Sequence, residues 1–334
     1  MEIVTKPFEA KYREGVVDVL QYLWHEELDE RFAHFDWLYF GNPSHPDPLA
    51  VVAVNENDEV MGFRGWVPGI IKTDGNAYLV ARAADVVVSP KARRQGVFSK
   101  MTVYSLSYLK DNGVQAILNL SSNSQSNPGY RKLGWVTMAH KNIWYQLLPP
   151  LLTSKKNTLK DKIQLKLGSQ TVFLYPYIPR GLKIPTSNDL SFSMEDGQLD
   201  WFSMRPYTKY VTLTAYNTNE DLEALFIIDI EGQMSRLLFF YCKDISKSKK
   251  YFKILKPYIE KRIISAWGWA LSEKNRLLLK KMGFICIPFY EKLRKKPPIL
   301  VRSIGDTEVT DNWIIERKDI RDRKNWNINL IDDF

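Results

Sequence analysis

The feature that most limits how this chain folds is the run Asp85-Val86-Val87-Val88-Ser89-Pro90, continued by Lys91-Ala92-Arg93-Arg94-Gln95-Gly96 and then Val97-Phe98-Ser99-Lys100-Met101. Three successive valines read as a buried strand, and proline ends it. Val97, Met101, Tyr104, Leu106 and Leu109 then fall broadly on one face of a helix. A strand that turns directly into a helix is the building unit of an α/β domain. The turn also has chemistry of its own. The first N–H groups of a helix have no internal partner and carry the positive end of its dipole, so a diphosphate fits there. Gly96 lets the backbone approach such a ligand without a Cβ clash, and Arg93 and Arg94 add forked donors.

The rest of the first 150 residues fits the same class. Val16 to His25 has helical spacing through Val16, Val19, Leu20 and Leu23. Phe40-Gly41-Asn42-Pro43 reads as a turn, and 45–48 as irregular loop. Leu49 to Asn55 and Glu59 to Trp66 form a hairpin around Glu56-Asn57-Asp58, and Ala77 to Ser89 is extended. The helix from Val97 to Lys110 ends at Gly113. Ala116 to Leu120 is a short strand, and Asn127-Pro128 opens another helix, stopped by Gly134. A strand through Val136 to Leu148 completes a mixed-sheet α/β domain, expected over 1–148. Pro149-Pro150 and the lysine-rich stretch to Lys162 mark the boundary with a second domain, 149–334. There, a hairpin joins Leu225–Ile230 to Arg236–Tyr241. Lys249 to Arg262 reads as helix, Ile263 to Trp269 as strand, Asn275 to Met282 as helix, and Gly283-Phe284 opens the last strand. In the tail from Asp311, only a strand near Trp313 to Ile315 is legible.

Bulk properties exclude several classes. No stretch approaches the roughly 20 apolar residues of a membrane helix. MEIVTKPFEA lacks the apolar run of a secretory leader. Two cysteines, Cys242 and Cys286, make no disulfide framework, so a cytoplasmic location is expected. The net charge of +9 suits nucleic acid, an anionic surface or a small polyanion. Much of it lies in solvated clusters, Lys247, Lys249 and Lys250 among them, and no nucleic-acid recognition motif accompanies it. The four histidines have no metal-ligand spacing, so no metal is expected.

Two blocks taken together resemble the GCN5-related N-acetyltransferase (GNAT) superfamily. Arg93-x-x-Gly96 matches its pyrophosphate signature, with Phe98 where the pattern has glycine or alanine. Asn123 through Tyr130 to Gly134-Trp135 matches its Asn…Tyr-x-x-x-Gly-Phe block, with tryptophan for phenylalanine. The resemblance covers roughly residues 1 to 147 and implies an acyl-coenzyme A-dependent N-acyltransferase. On it, Val86, Val87 and Val88 would pair with the pantetheine arm. Arg93, Arg94, Gln95, Gly96, Val97, Phe98 and Ser99 would form the pyrophosphate turn, its N–H groups supplied by Arg94 to Ser99, and Asn123 would hold the pantetheine side. Tyr130 would protonate the leaving thiolate, and Asp85 would take the proton of the amine. Phe98 must point away from the ligand. The bland alternatives are a core tyrosine at 130 and a strand-end ion pair between Asp85 and Arg82.

In the second half, Asn275 to Gly283-Phe284 resembles a second copy of the later block, with Leu279 in place of Tyr130 and no Arg-x-x-Gly turn before it. That implies a degenerate GNAT-like domain, which either shapes the acceptor pocket or packs as an internal pseudo-dimer. A homodimer is the other arrangement. The stretch Trp37 to Asn42-Pro43, with the hairpin and turn after it, resembles two-domain members linked with bacterial surface polysaccharides. The implied acceptor is a nucleotide-linked amino sugar, with His25, Arg64 and Arg82 on the acceptor side. Peptide or peptidoglycan amines, and a non-catalytic acyl-coenzyme A binder, are the competing readings.

Overall fold

The computed structural model describes residues 2–120, 126–140, 142–148, 158–185, 189–194, 197–231, 234–259, 261, 263–268, 271–286 and 298–328. In chain order the elements are β1 (Val4–Pro7), α1 (Arg13–Leu20), α2 (Leu28–Phe40), β2 (Leu49–Val54), β3 (Val60–Thr73), β4 (Asn76–Val88), α3 (Val97–Asp111), β5 (Ala116–Asn119) and α4 (Asn127–Lys132). Then come β6 (Val136–His140), β7 (Asn142–Leu147), β8 (Ile163–Leu167), β9 (Gln170–Tyr175), β10 (Ser191–Phe192), α5 (Gln198–Ser203), β11 (Tyr210–Tyr216), β12 (Leu222–Asp229) and β13 (Ser235–Cys242). The last are α6 (Ser248–Leu255), β14 (Ile263–Gly268), α7 (Glu273–Met282), β15 (Ile285–Cys286) and β16 (Pro298–Ser303), followed by a short hairpin pairing Ile314–Ile315 with Lys318–Asp319.

The chain forms two compact units, and a single cut near 148 does not separate them. One unit comprises Met1–Ala139, Leu190–Pro206 and Pro297–Asn325; the other comprises His140–Asp189, Tyr207–Lys296 and Trp326–Phe334. The reason lies in the sheets. The first is ordered β1-β2-β3-β4-β5-β16-β6, with β10 on β3. The second is ordered β8-β9-β11-β12-β13-β14-β7-β15. Each sheet thus inserts a strand from the far side of the other unit in sequence, β16 between β5 and β6, and β7 between β14 and β15. The apolar stretch Val136 to Leu148, which reads as one strand, is therefore two strands in different sheets.

Both sheets share one local design. In the first, the antiparallel β3–β4 ladder shifts register between Arg64 and Trp66, and β4 pairs parallel with β5 only over Val80–Arg82. In the second, the β12–β13 ladder shifts between Ile227 and Ile228, and β13 pairs parallel with β14 only over Ser235–Leu237. Each pair of central parallel strands therefore meets at one end and parts toward the other. A bulged antiparallel pair followed by a three-residue parallel contact thus appears once in each sheet.

The burial patterns explain the elements. β2 is buried along its whole length, as LAVVAV requires of a strand covered on both faces. Helix α3 covers it with Val97, Met101 and Leu109. Helix α1 stops at Leu20; Leu23, which continues its apolar spacing, is exposed. Helix α2 is absent from the sequence reading because its aromatic run has no clean apolar face, yet Phe35, Trp37, Leu38 and Tyr39 are buried. In the second unit, helix α6 ends at Leu255, short of the helix expected to Arg262, because Pro257 cannot continue it and a 3-10 turn follows. That unit's core gathers Phe226, Tyr251, Phe252, Leu279 and Phe284.

Candidate active site

The turn between β4 and α3 has the backbone that an anion site needs. Arg94 takes φ +63° and Gly96 takes φ +74° at the N-cap of α3. No side chain caps this terminus and no acidic residue sits in its first turn, so the N–H groups of Val97, Phe98 and Ser99 keep their unpaired character. Nothing lies within 4 Å of a Cβ placed on Gly96. Arg93 folds back so that its Nε donates to the Val88 carbonyl at 3.2 Å, and Gln95 Nε2 donates to the Lys91 carbonyl. These residues present backbone donors, an uncompensated helix dipole and open space in one place, which is the donor set for a pyrophosphate. Beside the turn, β4 has left β5 after Arg82, so Val86, Val87 and Val88 lie on the parting side of the two strands.

Phe98 occupies the position where the motif has a small residue, and the structure shows how it is accommodated. Its ring points toward α4, packs on Gly129 and meets the Tyr130 ring edge-on, with centroids 5.4 Å apart. A Cβ on Gly129 would sit 2.8 Å from Phe98 Cε1. The bulky residue at 98 and the glycine at 129 thus form a matched pair.

Tyr130 is 2% exposed and enclosed by Phe98, Trp135 and Arg64. Its hydroxyl accepts a hydrogen bond from Arg64 Nη1 at 2.6 Å. Arg64 is fully buried, with its guanidinium 4.0 Å from the centroid of the Trp66 ring. The corner after α4 is held from β16: Arg302 Nε donates to the Leu133 carbonyl at 2.8 Å, and its guanidinium lies over Trp135. Arg64 is therefore a neighbour of Tyr130. Side chains alternate along a strand, so Arg64 and Trp66 lie on one face of β3 and Gly65 on the other. Gly65 faces Tyr39, whereas Arg64 and Trp66 face Tyr130 and Trp135.

Asp85 sits in the bulge of β4, where two residues of β4 oppose the single Gly65 of β3. Trp24 Nε1 donates to one carboxylate oxygen at 3.0 Å, and the Tyr39 hydroxyl donates to the other at 2.8 Å. Arg82 instead lies 5.1 Å from the Phe192 ring, so the strand-end ion pair between Asp85 and Arg82 does not form. Burial is the largest influence on Asp85 and raises its pKa. The donors Tyr39 and Trp24 and the charge of Arg64 pull the other way, Glu26 adds to the rise, and the carboxyl is pushed up to about 6. Tyr39, buried beside that carboxylate, titrates well above its ordinary range and stays a donor.

The Asp85 cradle continues into an aromatic stack. Trp24 lies parallel to His34 at 4.6 Å, and His34 meets Trp37 at 5.6 Å. Trp37 stacks on Trp201 at 4.8 Å, and each indole N–H donates to the other residue's carbonyl. Burial, and then the charge of Arg205, push the His34 pKa down to about 4 against a small opposing effect of Glu26. His25 follows Trp24 and is exposed. Asn123 falls outside the described residues. Among the described residues no cluster of three His, Cys, Asp or Glu side chains is poised for a metal.

Sequence reasoning missed Trp24 and Tyr39, the two donors that hold Asp85. The only hint of Tyr39 was Gly65, which leaves room for the Tyr39 ring to cross β3.

In the second unit the equivalent features are gone. The turn after β13 is capped by Asp244, whose side chain accepts from the Ser246 N–H, which places a carboxylate where an anion would bind. Leu279, in the place of Tyr130, is fully buried in the core.

Residues 5–138 match the acetyltransferase (GNAT) domain family. Among solved structures, 91% of the chain superposes on a probable N-acyltransferase from Enterococcus faecalis, covering 73% of that chain at 14% identity and a TM-score of 0.63. The same share superposes on a tandem GNAT protein of the clavulanic acid biosynthesis pathway, covering 99% of it at 10% identity and a TM-score of 0.53. It also superposes on Saccharomyces cerevisiae N-myristoyltransferase with bound myristoyl-coenzyme A, covering 79% of it at 10% identity and a TM-score of 0.52. No curated protein matches the sequence significantly. At these identities the structural likeness is one of fold. The class is that of the GNAT N-acyltransferases, which move an acyl group from coenzyme A to an amine. Residues 5–138, within the first unit, match a GNAT domain, and the fold of the chain is that of a two-domain GNAT protein.

Proposed function

We propose that this enzyme acylates the amino group of a nucleotide-linked amino sugar, in the cytoplasm, as a step toward a surface polysaccharide. The observation that carries the catalytic part is the Asp85 carboxyl, cradled by Trp24 and Tyr39 and pushed up to about 6. A base with that pKa is mostly ionised at neutral pH yet basic enough to accept a proton, the balance that general-base catalysis favours. The amine approaches on the Tyr39 face of β4, with His25 and Arg82 on the acceptor side. Its nitrogen attacks the thioester carbon, Asp85 takes the amine proton, and the Tyr130 hydroxyl protonates the departing sulfur. Val86 to Val88 align the pantetheine arm, Asn123 holds its side, and Arg94 to Ser99 bind the pyrophosphate. Positioning contributes alongside the proton transfers. The net charge of +9 favours a donor and an acceptor that are both anionic.

The deciding experiment is thiol release from acetyl-coenzyme A and from a long-chain acyl-coenzyme A, against free amines, peptides and nucleotide-linked amino sugars. Turnover with one nucleotide-linked amino sugar alone supports the proposal; turnover with peptide amines alone replaces it. Gly96→Trp should fill the open side of the turn and weaken coenzyme A binding at least tenfold. Unchanged affinity, measured by calorimetry, would remove the pyrophosphate site from this turn.

A further inference from the structure

Arg64 is the one residue of the site whose burial the mechanism above leaves without a purpose. Its side chain is fully buried, and among the described residues it faces no carboxylate in an ion pair. Its hydrogen bond goes to the Tyr130 oxygen, while Nε and Nη2 have no partner among the described residues. A guanidinium buried in this way is costly, and stacking on Trp66 offsets only part of the cost. A hydrophobic side chain would serve the core better.

We infer that Arg64 is a positioning residue that aims the Tyr130 proton at the leaving sulfur; this rests on the reading of Tyr130 as the acid. The argument is one of donors and acceptors. A guanidinium only donates, and a tyrosine hydroxyl has one proton to give. Arg64 Nη1 occupies a lone pair of the Tyr130 oxygen at 2.6 Å, so the hydroxyl proton cannot turn toward Arg64 and is directed away from it. Phe98 and Trp135 fix the ring from its sides. In the reaction a C–N bond forms and the C–S bond breaks. Asp85 takes a proton from nitrogen, and the sulfur takes the Tyr130 proton. The phenolate left behind lies against the Arg64 cation, which stabilises it by a charge-assisted hydrogen bond until water returns the proton.

The test uses the full-length enzyme, acetyl-coenzyme A and the amine that turns over best in the panel above. Tyr130→Phe and Arg64→Met should each lower kcat by roughly ten- to a hundredfold, within the range of general acid catalysis. KM for acetyl-coenzyme A should change less than about threefold, a transition-state effect without a ground-state one. The double variant should be no slower than Tyr130→Phe alone, because the two act as one unit. Arg64→Lys, which keeps a cationic donor, should recover part of the rate. With S-(4-nitrophenyl) thioacetate, whose thiolate leaves without protonation, the Arg64→Met loss should vanish. If Arg64→Met slows the Tyr130→Phe enzyme as much as the wild type, or raises KM with kcat intact, Arg64 is structural or binds substrate and the inference falls. Full activity of Tyr130→Phe would overturn the acid assignment itself, a distinct result that takes the role of Arg64 with it. Should Arg64→Met not fold, Arg64→Lys compared in the wild-type and Tyr130→Phe backgrounds separates the same two outcomes.

Discussion

Two ionisable side chains of the site, Asp85 and His34, are displaced in opposite directions, and both are in contact with Trp24. Asp85 is pushed up to about 6 and His34 down to about 4. The folded Asp85 holds its proton more tightly than the unfolded one, so its contribution to stability is complete below pH 3.8 and is lost as pH rises through about 6. The folded His34 holds its proton less tightly, so its contribution is complete above pH 6.5 and is lost as pH falls toward about 4. Between these limits the two slopes oppose each other. Each contribution is on the order of 2–3 kcal/mol. His34→Gln should therefore leave a melting temperature that falls as pH rises across this window, whereas Asp85→Asn should leave one that rises. Thermal unfolding at about pH 4.5 and about pH 6.5 measures both, and the same slope in both variants would refute the opposition. The Asp85 ionisation should also appear as the acidic limb of the kcat/KM profile, at about pH 6. Tyr39→Phe removes a donor from the carboxylate, so that limb should move upward in pH-dependent kinetics.

At the scale of elements, the site is made by two departures from regular structure. The bulge in β4 sets Asp85 opposite Gly65, and Gly65 is small enough for Tyr39 to cross β3 and reach the carboxylate. The early parting of β4 from β5 leaves Val86 to Val88 without a partner on β5. Next to them, the Phe98 and Gly129 pair explains the departure from the small-residue motif. Gly129→Ala should force Phe98 off its packing and disturb Tyr130, with a loss of about 1–3 kcal/mol as overpacking typically costs. Adding Phe98→Ala should recover part of that loss, since the clash is shared by the two residues. Denaturant unfolding of the single and double variants tests the coupling, and strict additivity would show that the two do not act together.

For the whole molecule, the exchanged strands have a direct consequence. A fragment ending at 148 would lack β16, which lies between β5 and β6, and with it Arg302, which holds the corner after Tyr130. It would also lack Trp201, whose stack covers Trp37 on α2. Burial of an indole of about 200 Å² is worth roughly 5 kcal/mol at about 25 cal/mol/Å². The fragment should therefore fail to give cooperative unfolding or protease resistance under conditions where the full chain gives both. A cooperatively folded 1–148 fragment that binds coenzyme A would show that β16 and α5 are dispensable. In the second unit the turn after β13 is capped by Asp244, so coenzyme A should bind in a ratio of one per chain by calorimetry.

By itself the sequence determined the local pieces: the Val86 to Val88 strand, the Gly96 turn with its helix, the Asn127-Pro128 helix and the Gly134 stop. Each depends on residues adjacent in the chain, where φ preferences, missing N–H groups and apolar period act directly. The motifs around those pieces also singled out Asp85 and Tyr130 as the candidates for proton transfer. Only the tertiary structure decided what holds them. Trp24 and Tyr39 reach Asp85 from 61 and 46 residues away, Arg64 reaches Tyr130 across 66, and Arg302 reaches Leu133 across 169. Such partners leave no periodic trace, because a hydrogen bond between distant segments constrains one residue at each end and nothing in between. The strand exchange was hidden for the same reason. Pairing depends on which backbone edges are open once the sheets assemble, and an apolar run such as Val136 to Leu148 is equally suited to one strand or to two.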